Sequence, residues 1–277
     1  MNTLKTTMLM AALTALFMIG GQAMAGQQGM MFALLMALGL NFFAYWNSDK
    51  MALAMNKARE VSQAEAPELH QLVANLAHRA GLPMPGIYVV DNPTPNAFAT
   101  GRNPEHAAVA VTTGIMHALN REELEGVLAH ELAHIQNRDI LISSIAAVMA
   151  GAISYLATMA QWTMIFGGRS DDEGGGNLIA TIVMMIVAPL AASIIQMAIS
   201  RSREYIADAT GAEICGRPKA LASALQKLSN QNQQHPMDVN PASAQMYIVN
   251  PLTGSSIAKL FSTHPPMDER IRRLMAM

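Results

Sequence analysis

Charge is scarce in this chain. Only 14% of its 277 residues are Asp, Glu, Lys or Arg, against about 25% in an ordinary water-soluble domain. Such a chain is poorly supplied with the ionised surface that water demands, and the deficit points to a bilayer. The net charge of -2 leaves no basic field, which excludes nucleic-acid binding driven by phosphate neutralisation. A lone cysteine, Cys215, excludes an intramolecular disulfide framework and is compatible with a reducing compartment. It reads as a small buried apolar side chain. No internal repeat is visible, and the 23 methionines sit mostly in apolar runs, where a flexible thioether fills space. They read as packing and not as a copper site.

What the chain has instead is long uncharged runs. Between Lys5 and Asp49 no side chain except tyrosine can ionise, and this stretch divides at a polar, Gly-rich segment, residues 20–29. Each half approaches the roughly 20 residues that a helix needs to cross a hydrocarbon core of about 30 Å, with a short turn between them. A third uncharged run covers residues 140–168 and a fourth residues 174–200, separated by the hydrophilic turn 169–173. About four transmembrane helices are therefore expected. A buried helical hairpin in a soluble core is the rival reading of the later pair. The first run also resembles a secretory signal, with Lys5, an apolar stretch and the small-residue triplet Ala23-Met24-Ala25,. Cleavage there would leave the second run as an anchor and the topology unchanged. If all four runs cross, 17 of the 18 basic residues fall on one side and only Arg169 on the other. Positive residues stay inside, so both termini and the two larger polar segments are predicted to be cytoplasmic.

The first polar segment reads as a compact α+β piece. Pro67 stands near the start of a helix with an apolar face of Leu69, Leu72, Val73 and Leu76, ended by Gly81 and Pro83,. Three β-leaning runs follow, residues 87–90, 97–100 and 108–112, broken by Asn92-Pro93, Pro95 and residues 101–104,. A small sheet is the expected product. Asn120 with Glu123 forms a capping-box pattern at the start of the next helix,. Residues 230–254, rich in Asn, Gln, Ser and Pro, read as a long loop and a candidate flap over a cleft,.

That helix carries His130-Glu131-Leu132-Ala133-His134. Four residues turn a helix by about 400°, so the two imidazoles lie one turn apart on nearly one face and reach a single ion. Glu131 falls on the adjoining edge, where its carboxylate can serve as general base without ligating the metal. Chance produces the pattern in roughly one in a hundred chains of this composition. The rival is a pair of helix histidines satisfied by carbonyls or solvent. A catalytic zinc also needs a third protein ligand and an open position. The metzincin extension is excluded, because Asn137 and Ile140 stand where it requires Gly and His,. The segment Ser202-Arg203-Glu204-Tyr205-Ile206-Ala207-Asp208 offers a carboxylate, Glu204, with Asp208 one turn on to orient a ligating imidazole,. The alternative for this pair is a solvated acidic patch near a membrane surface.

Taken together, the chain resembles the HtpX-type integral membrane zinc metalloproteases, bacterial relatives of the CAAX prenyl endopeptidases. The resemblance spans nearly the whole length: the early apolar runs, Asn96-Ala97-Phe98-Ala99-Thr100-Gly101, the H-E-x-x-H helix, the later runs, the Ser202 to Asp208 segment and Thr263-His264-Pro265-Pro266. It implies one Zn2+ per chain held by His130, His134 and Glu204, with Glu131 catalytic and Asp208 behind a ligand. It further implies that His264 and Arg270 touch the reacting carbonyl, and that Asn96, Ala97, Phe98 and Ala99 form a cleft edge to which substrate adds as a strand.

The expectation is thus a mainly helical α+β membrane protein with a small sheet in a zincin-like (gluzincin) catalytic domain. Its parts would be 1–46 (two membrane helices), 47–139 (zinc-binding helix), 140–200 (two further membrane helices) and 201–277 (completion of the site). The implied function is endoproteolysis of damaged or misfolded membrane proteins, part of quality control and stress response. The implied location is the bacterial inner membrane, multi-pass, with the site on the cytoplasmic side. Partners are protein substrates and the lipid bilayer, with self-association left open. The rival functions are a metal transporter or channel and a non-catalytic scaffold. A transporter usually keeps ionisable ligands inside its spans, and these runs contain none.

Overall fold

The computed structural model describes residues 2–151, 153, 201–234, 237, 239, 241–251 and 265–277. The later part of the third apolar run, the whole fourth run, the turn between them and the expected catalytic His264 lie outside the described residues.

Helix α1 (Asn2–Met55) is continuous in hydrogen bonding but not in direction. It breaks at Ala25 (φ -143°) and Gly26 (φ 60°, ψ -146°), a backbone region open essentially to glycine alone. The break falls within the polar segment that the sequence marks as the turn. It leaves two helices, Leu4–Ala23 and Ala25–Met55, each long and apolar enough to cross a membrane. They fold back on each other: Asn41 Nδ2 donates to Thr14 Oγ1 across the hairpin at 2.8 Å. The outer surface exposes Ile19, Phe32, Leu35 and Phe42 at 65–70%, an apolar face that lipid chains solvate and water does not. Such exposure on α1 ends at Trp46, just before Asp49 and Lys50. The second helix runs on to Met55, so its last turns stand clear of that apolar face. Helix α5, described over Ile140–Gly151, packs Ile142, Ile145 and Met149 against Leu9, Leu13 and Ala44 of the hairpin.

Beyond α1 lies a mixed sheet of four strands: β1 (Arg59–Glu60), β2 (Gly86–Val90), β3 (Ala97–Gly101) and β4 (Ala107–Thr112), in the order β1-β2-β4-β3. The β2–β4 pair is parallel and the other two pairs are antiparallel. The three runs expected from the sequence are the three long strands. The two-residue β1 escapes notice because it is too short to show alternation. β3 closes one edge of the sheet and is buried along its whole length.

Helices α2 (Pro67–Arg79), α3 (Thr113–Ala118), α4 (Arg121–Gln136), α6 (Arg201–Cys215), α7 (Pro218–Gln234) and α8 (Met267–Met275) surround the sheet. Helix α2 starts at its proline, whose missing N–H is no loss in a first turn,. Helix α4 has the full capping box: the Glu123 N–H donates to Asn120 Oδ1 at 2.9 Å and the Asn120 N–H to Glu123 Oε2 at 3.0 Å. Nearly every α4 side chain from Glu123 to Ile135 is buried, because sheet, α2, α6 and α7 enclose it. Residues 230–234, read from composition as loop, continue helix α7, and Pro241–Met246 forms a 3-10 turn. Asn and Gln carry only a mild helix penalty, and Asn232 is buried at 2%.

The main core joins Leu72, Leu76, Val109, Val127, Leu128, Leu221 and Leu225. Leu128 is fully buried there. Leu128→Ala is expected to cost about 2–5 kcal/mol through lost transfer energy and the residual cavity, to be read from chemical denaturation of the detergent-solubilised protein.

Candidate metal centre and active site

The site is assembled where α6 crosses α4. The approach is close enough that a Cβ at Gly211 would come within 2.8 Å of His130 N and Cα, a separation no ordinary side chain allows. This contact places the first turns of α6, with Glu204 and Asp208, over the α4 imidazoles.

His130 and His134 turn their Nε2 atoms toward each other at 3.1 Å. Glu204 faces both, with Oε2 3.7 Å from His130 Nε2 and Oε1 3.7 Å from His134 Nε2. One ligand atom from each of the three residues fits within 4.8 Å. An ion held tetrahedrally at about 2.0–2.1 Å from each nitrogen separates its ligands by about 3.3 Å, so the three groups fit a metal with little adjustment. The opposite ring nitrogens support this fit. His130 Nδ1 lies 3.0 Å from Asp208 Oδ1 and His134 Nδ1 lies 3.0 Å from Asp139 Oδ1. A proton on each Nδ1 leaves each Nε2 lone pair free for a metal.

Asp208 is itself held by Arg270, whose Nε and Nη2 donate to its two oxygens at 2.8 Å each. Both residues are buried. Burial alone would raise the Asp208 pKa, but the adjacent guanidinium outweighs it and holds the carboxyl at about 2. Asp139 follows Arg138, whose φ of 55° ends α4 and turns the chain back toward His134. Arg203 Nη1 donates to the Asp139 carbonyl at 3.4 Å and its Nη2 to Ser143 Oγ at 3.2 Å.

Glu131 is 1% exposed. Burial pushes its carboxyl up to about 8, the Ala99 N–H being among the groups that oppose this, and Oε1 has no hydrogen-bond partner among the described residues. Burial lowers the His134 pKa, but the carboxylates of Asp139 and Glu204 outweigh it and hold the imidazole at about 9. For His130 burial prevails and its pKa falls. A buried carboxylate without a full set of donors, beside two imidazoles aimed at one point, is what a cation would complete.

The structure therefore brings together His130, His134, Glu204, Glu131, Asp208 and Arg270. Arg270 sits behind the ligands: its Nη1 is 3.6 Å from Glu204 Oε2 and its Nη2 is 3.5 Å from His130 Nε2, while its strongest bonds go to Asp208. On the expected substrate edge, Ala99 meets Glu131, whereas Asn96, Ala97 and Phe98 are fully buried by the protein's own residues. Sequence reasoning missed Asp139. Its only signal is an acid one residue past the end of the metal helix, five after His134. Gly211 was missed too, since a small residue inside a helix says nothing of its neighbour.

Two imidazoles from one helix and a carboxylate from another form a donor set that fits a metal ion, with a buried Glu adjacent. Residues 63–277 match the model of Peptidase family M48. The chain belongs to Peptidase family M48 and is a metalloprotease. Curated relatives are similar over 99–100% of this chain. The "Protease HtpX homolog" of Thermodesulfovibrio yellowstonii is 63% identical over 278 residues, covering 100% of this chain and 99% of the relative. That of Persephonella marina is 60% identical, covering 100% and 98%. That of Desulfatibacillum aliphaticivorans is 57% identical, covering 99% and 89%. Among solved structures, Ste24p of S. mikatae aligns with a TM-score of 0.47 at 20% identity, over 85% of this chain and 58% of that one.

Gly211→Ala is expected to force α6 away from His130, costing about 1–3 kcal/mol and weakening metal binding, both measurable by denaturation and metal titration. In the metal-free protein at neutral pH, His134 is protonated because its pKa is about 9, and a metal must displace that proton. Affinity is therefore expected to rise with pH up to about 9, nearly tenfold per unit where one proton is released. Calorimetry in two buffers of different ionisation enthalpy counts the proton.

Proposed function

We propose that the protein is a membrane-embedded zinc endopeptidase, with His130, His134 and Glu204 as ligands and Glu131 as general base. The observation that carries this reading is the convergence of the two Nε2 atoms and the Glu204 carboxylate, with Glu131 buried beside them. The paired imidazoles and single carboxylate suit zinc, which accepts nitrogen and oxygen ligands tetrahedrally and leaves one position open. When bound, the ion supplies Lewis-acid polarisation of the scissile carbonyl and acidifies a water to about pKa 7.

The chain's own residues do the rest. Glu131 takes a proton from the attacking water on its carboxylate and returns it to the departing amine; a carboxyl pushed up to about 8 is well matched to both transfers near neutral pH. Asp208 and Asp139 hold the ligating rings in the tautomer that presents Nε2. Arg270 is a fixed cation whose field favours an oxyanion from behind the ligand set, and His264 is the direct donor to it, one good donor being worth about 3 kcal/mol. The edge of β3 receives an extended substrate by main-chain pairing.

The hairpin α1 and the one-sided placement of basic residues support a multi-pass protein of the bacterial inner membrane with its site on the cytoplasmic side. Damaged or misassembled membrane proteins are the substrates that this location implies. Glu131→Gln should retain zinc yet lose about 10²–10⁴-fold in casein cleavage, while a chelator abolishes the wild-type activity and zinc restores it. Full activity in the Gln variant would remove Glu131 from the mechanism.

A further inference from the structure

β3 is an edge strand whose residues alternate in facing β4. Asn96 pairs inward, its C=O accepting from the Thr112 N–H at 3.0 Å, so Ala97 and Ala99 turn their main-chain groups outward. An incoming substrate strand needs those groups. In this structure the protein has already engaged three of these four groups. The Ala97 C=O accepts from the Ile248 N–H at 2.9 Å, the Ala97 N–H donates to Asn96 Oδ1 at 3.1 Å, and the Ala99 N–H meets the Glu131 carboxylate.

The residue that bonds Ala97 is held from its other side as well. The Ile248 C=O accepts from Arg270 Nη1 at 2.9 Å, and the same guanidinium lies 3.5 Å from His130 Nε2. Both main-chain groups of Ile248 are thus clamped between the edge strand and a cation at the metal ligands. Its neighbour is gripped in the same manner: Asn96 Nδ2 donates to the Val249 C=O at 2.8 Å and the Val249 N–H donates to Asn96 Oδ1 at 3.3 Å. The side chains are seated too, with Ile248 1% exposed in the main core and Tyr247 edge-on to Phe98 at 5.1 Å.

We infer that residues 247–249 are a built-in pseudosubstrate, bound by the main-chain clamp of Ala97, Asn96 and Arg270, which a true substrate must displace to pair with β3. This rests on the reading of β3 as the substrate edge. The clamp also sets a preference: the substrate residue that takes the place of Ile248 is apolar, since the position it enters is a buried hydrocarbon surface. The segment is tied to the membrane hairpin, because Ser243 Oγ and Tyr247 Oη donate to Asn56 Oδ1 at 2.8 and 3.0 Å, and Asn56 directly follows α1.

Hydrogen exchange on the zinc-loaded, full-length protein in detergent tests the idea, with a leucine-bearing peptide hydroxamate as the probe. Saturating hydroxamate is expected to speed exchange of the 247–249 amides at least tenfold while the core amides of α4 stay protected. Full protection of 247–249 in the inhibited enzyme would overturn the proposal and make the segment a fixed cleft wall. Independently, Ile248→Pro removes the N–H that bonds Ala97. It is expected to lower the KM for a short peptide by about threefold or more at little change in kcat, as a larger fraction of molecules becomes competent. An unchanged or higher KM in a variant that keeps the wild-type melting temperature would count equally against it. Exchange at the β3 amides in the same experiment tests the edge reading separately: unchanged protection of residues 97–99 with faster exchange at 247–249 would sink the edge and not the displacement, and the casein assay with Glu131→Gln tests the general base.

Discussion

Helix α6 lies so close to α4 that Gly211 has no room for a methyl group against the His130 backbone. Everything chemical in the structure follows from that approach. At a wider separation Glu204 could not face the two imidazoles, and Asp208 could not reach His130 Nδ1. Two helices packed at ordinary side-chain distances have axes about 8–10 Å apart, and a glycine at the crossing lets this pair draw together where the ligands meet.

Such proximity gathers like and unlike charges in a dry space, and the electrostatics are balanced in layers. Arg270 neutralises Asp208, and Asp208 and Asp139 each fix one imidazole. Buried ion pairs of this sort contribute little net stability, because desolvation offsets most of the attraction, but breaking one leaves an uncompensated charge. The Asp208–Arg270 pair thus acts mainly as a positional constraint: two parallel hydrogen bonds fix the guanidinium plane, the carboxylate and, through it, the ring of His130. Glu131 is left with burial prevailing over its partners, so its carboxyl rises toward neutrality where Asp208 falls to about 2. Two acids in one site differ because only one of them has a bidentate cation.

The first turn of α5 links this centre to the hairpin. Asp139 orients His134, Ser143 and Arg203 join it to the start of α6, and Ser144 shares a 2.7 Å hydrogen bond with Thr100 of the edge strand. A turn later the same helix packs into the apolar cluster of α1. The catalytic layer and the membrane layer therefore share one element, and the 247–249 segment adds a second connection through Asn56.

The sequence by itself determined the N-terminal hairpin, three strands, helices α2 and α4, and the paired histidines. Uncharged length specified the two helices of the N-terminal hairpin, the polar segment 20–29 their turn, and β-leaning runs between prolines and glycines the three longer strands. The His130–His134 spacing is a property of one helix turn and needs no tertiary information. Glu204 and Asp208 were legible only as a carboxylate pair at helical spacing, with the resemblance supplying their partners. What the tertiary structure alone decided was which groups meet across elements: Asp139 behind His134, Arg270 behind Asp208, and Ile248 on the edge of β3. Asp139 meets His134 because Arg138 takes the left-handed region, and Asp208 meets His130 because Gly211 lets α6 close on α4. The reason is physical: local periodicity dictates which side of an element is apolar, while the pairing of polar side chains distant in sequence is set by packing distances that no single segment encodes.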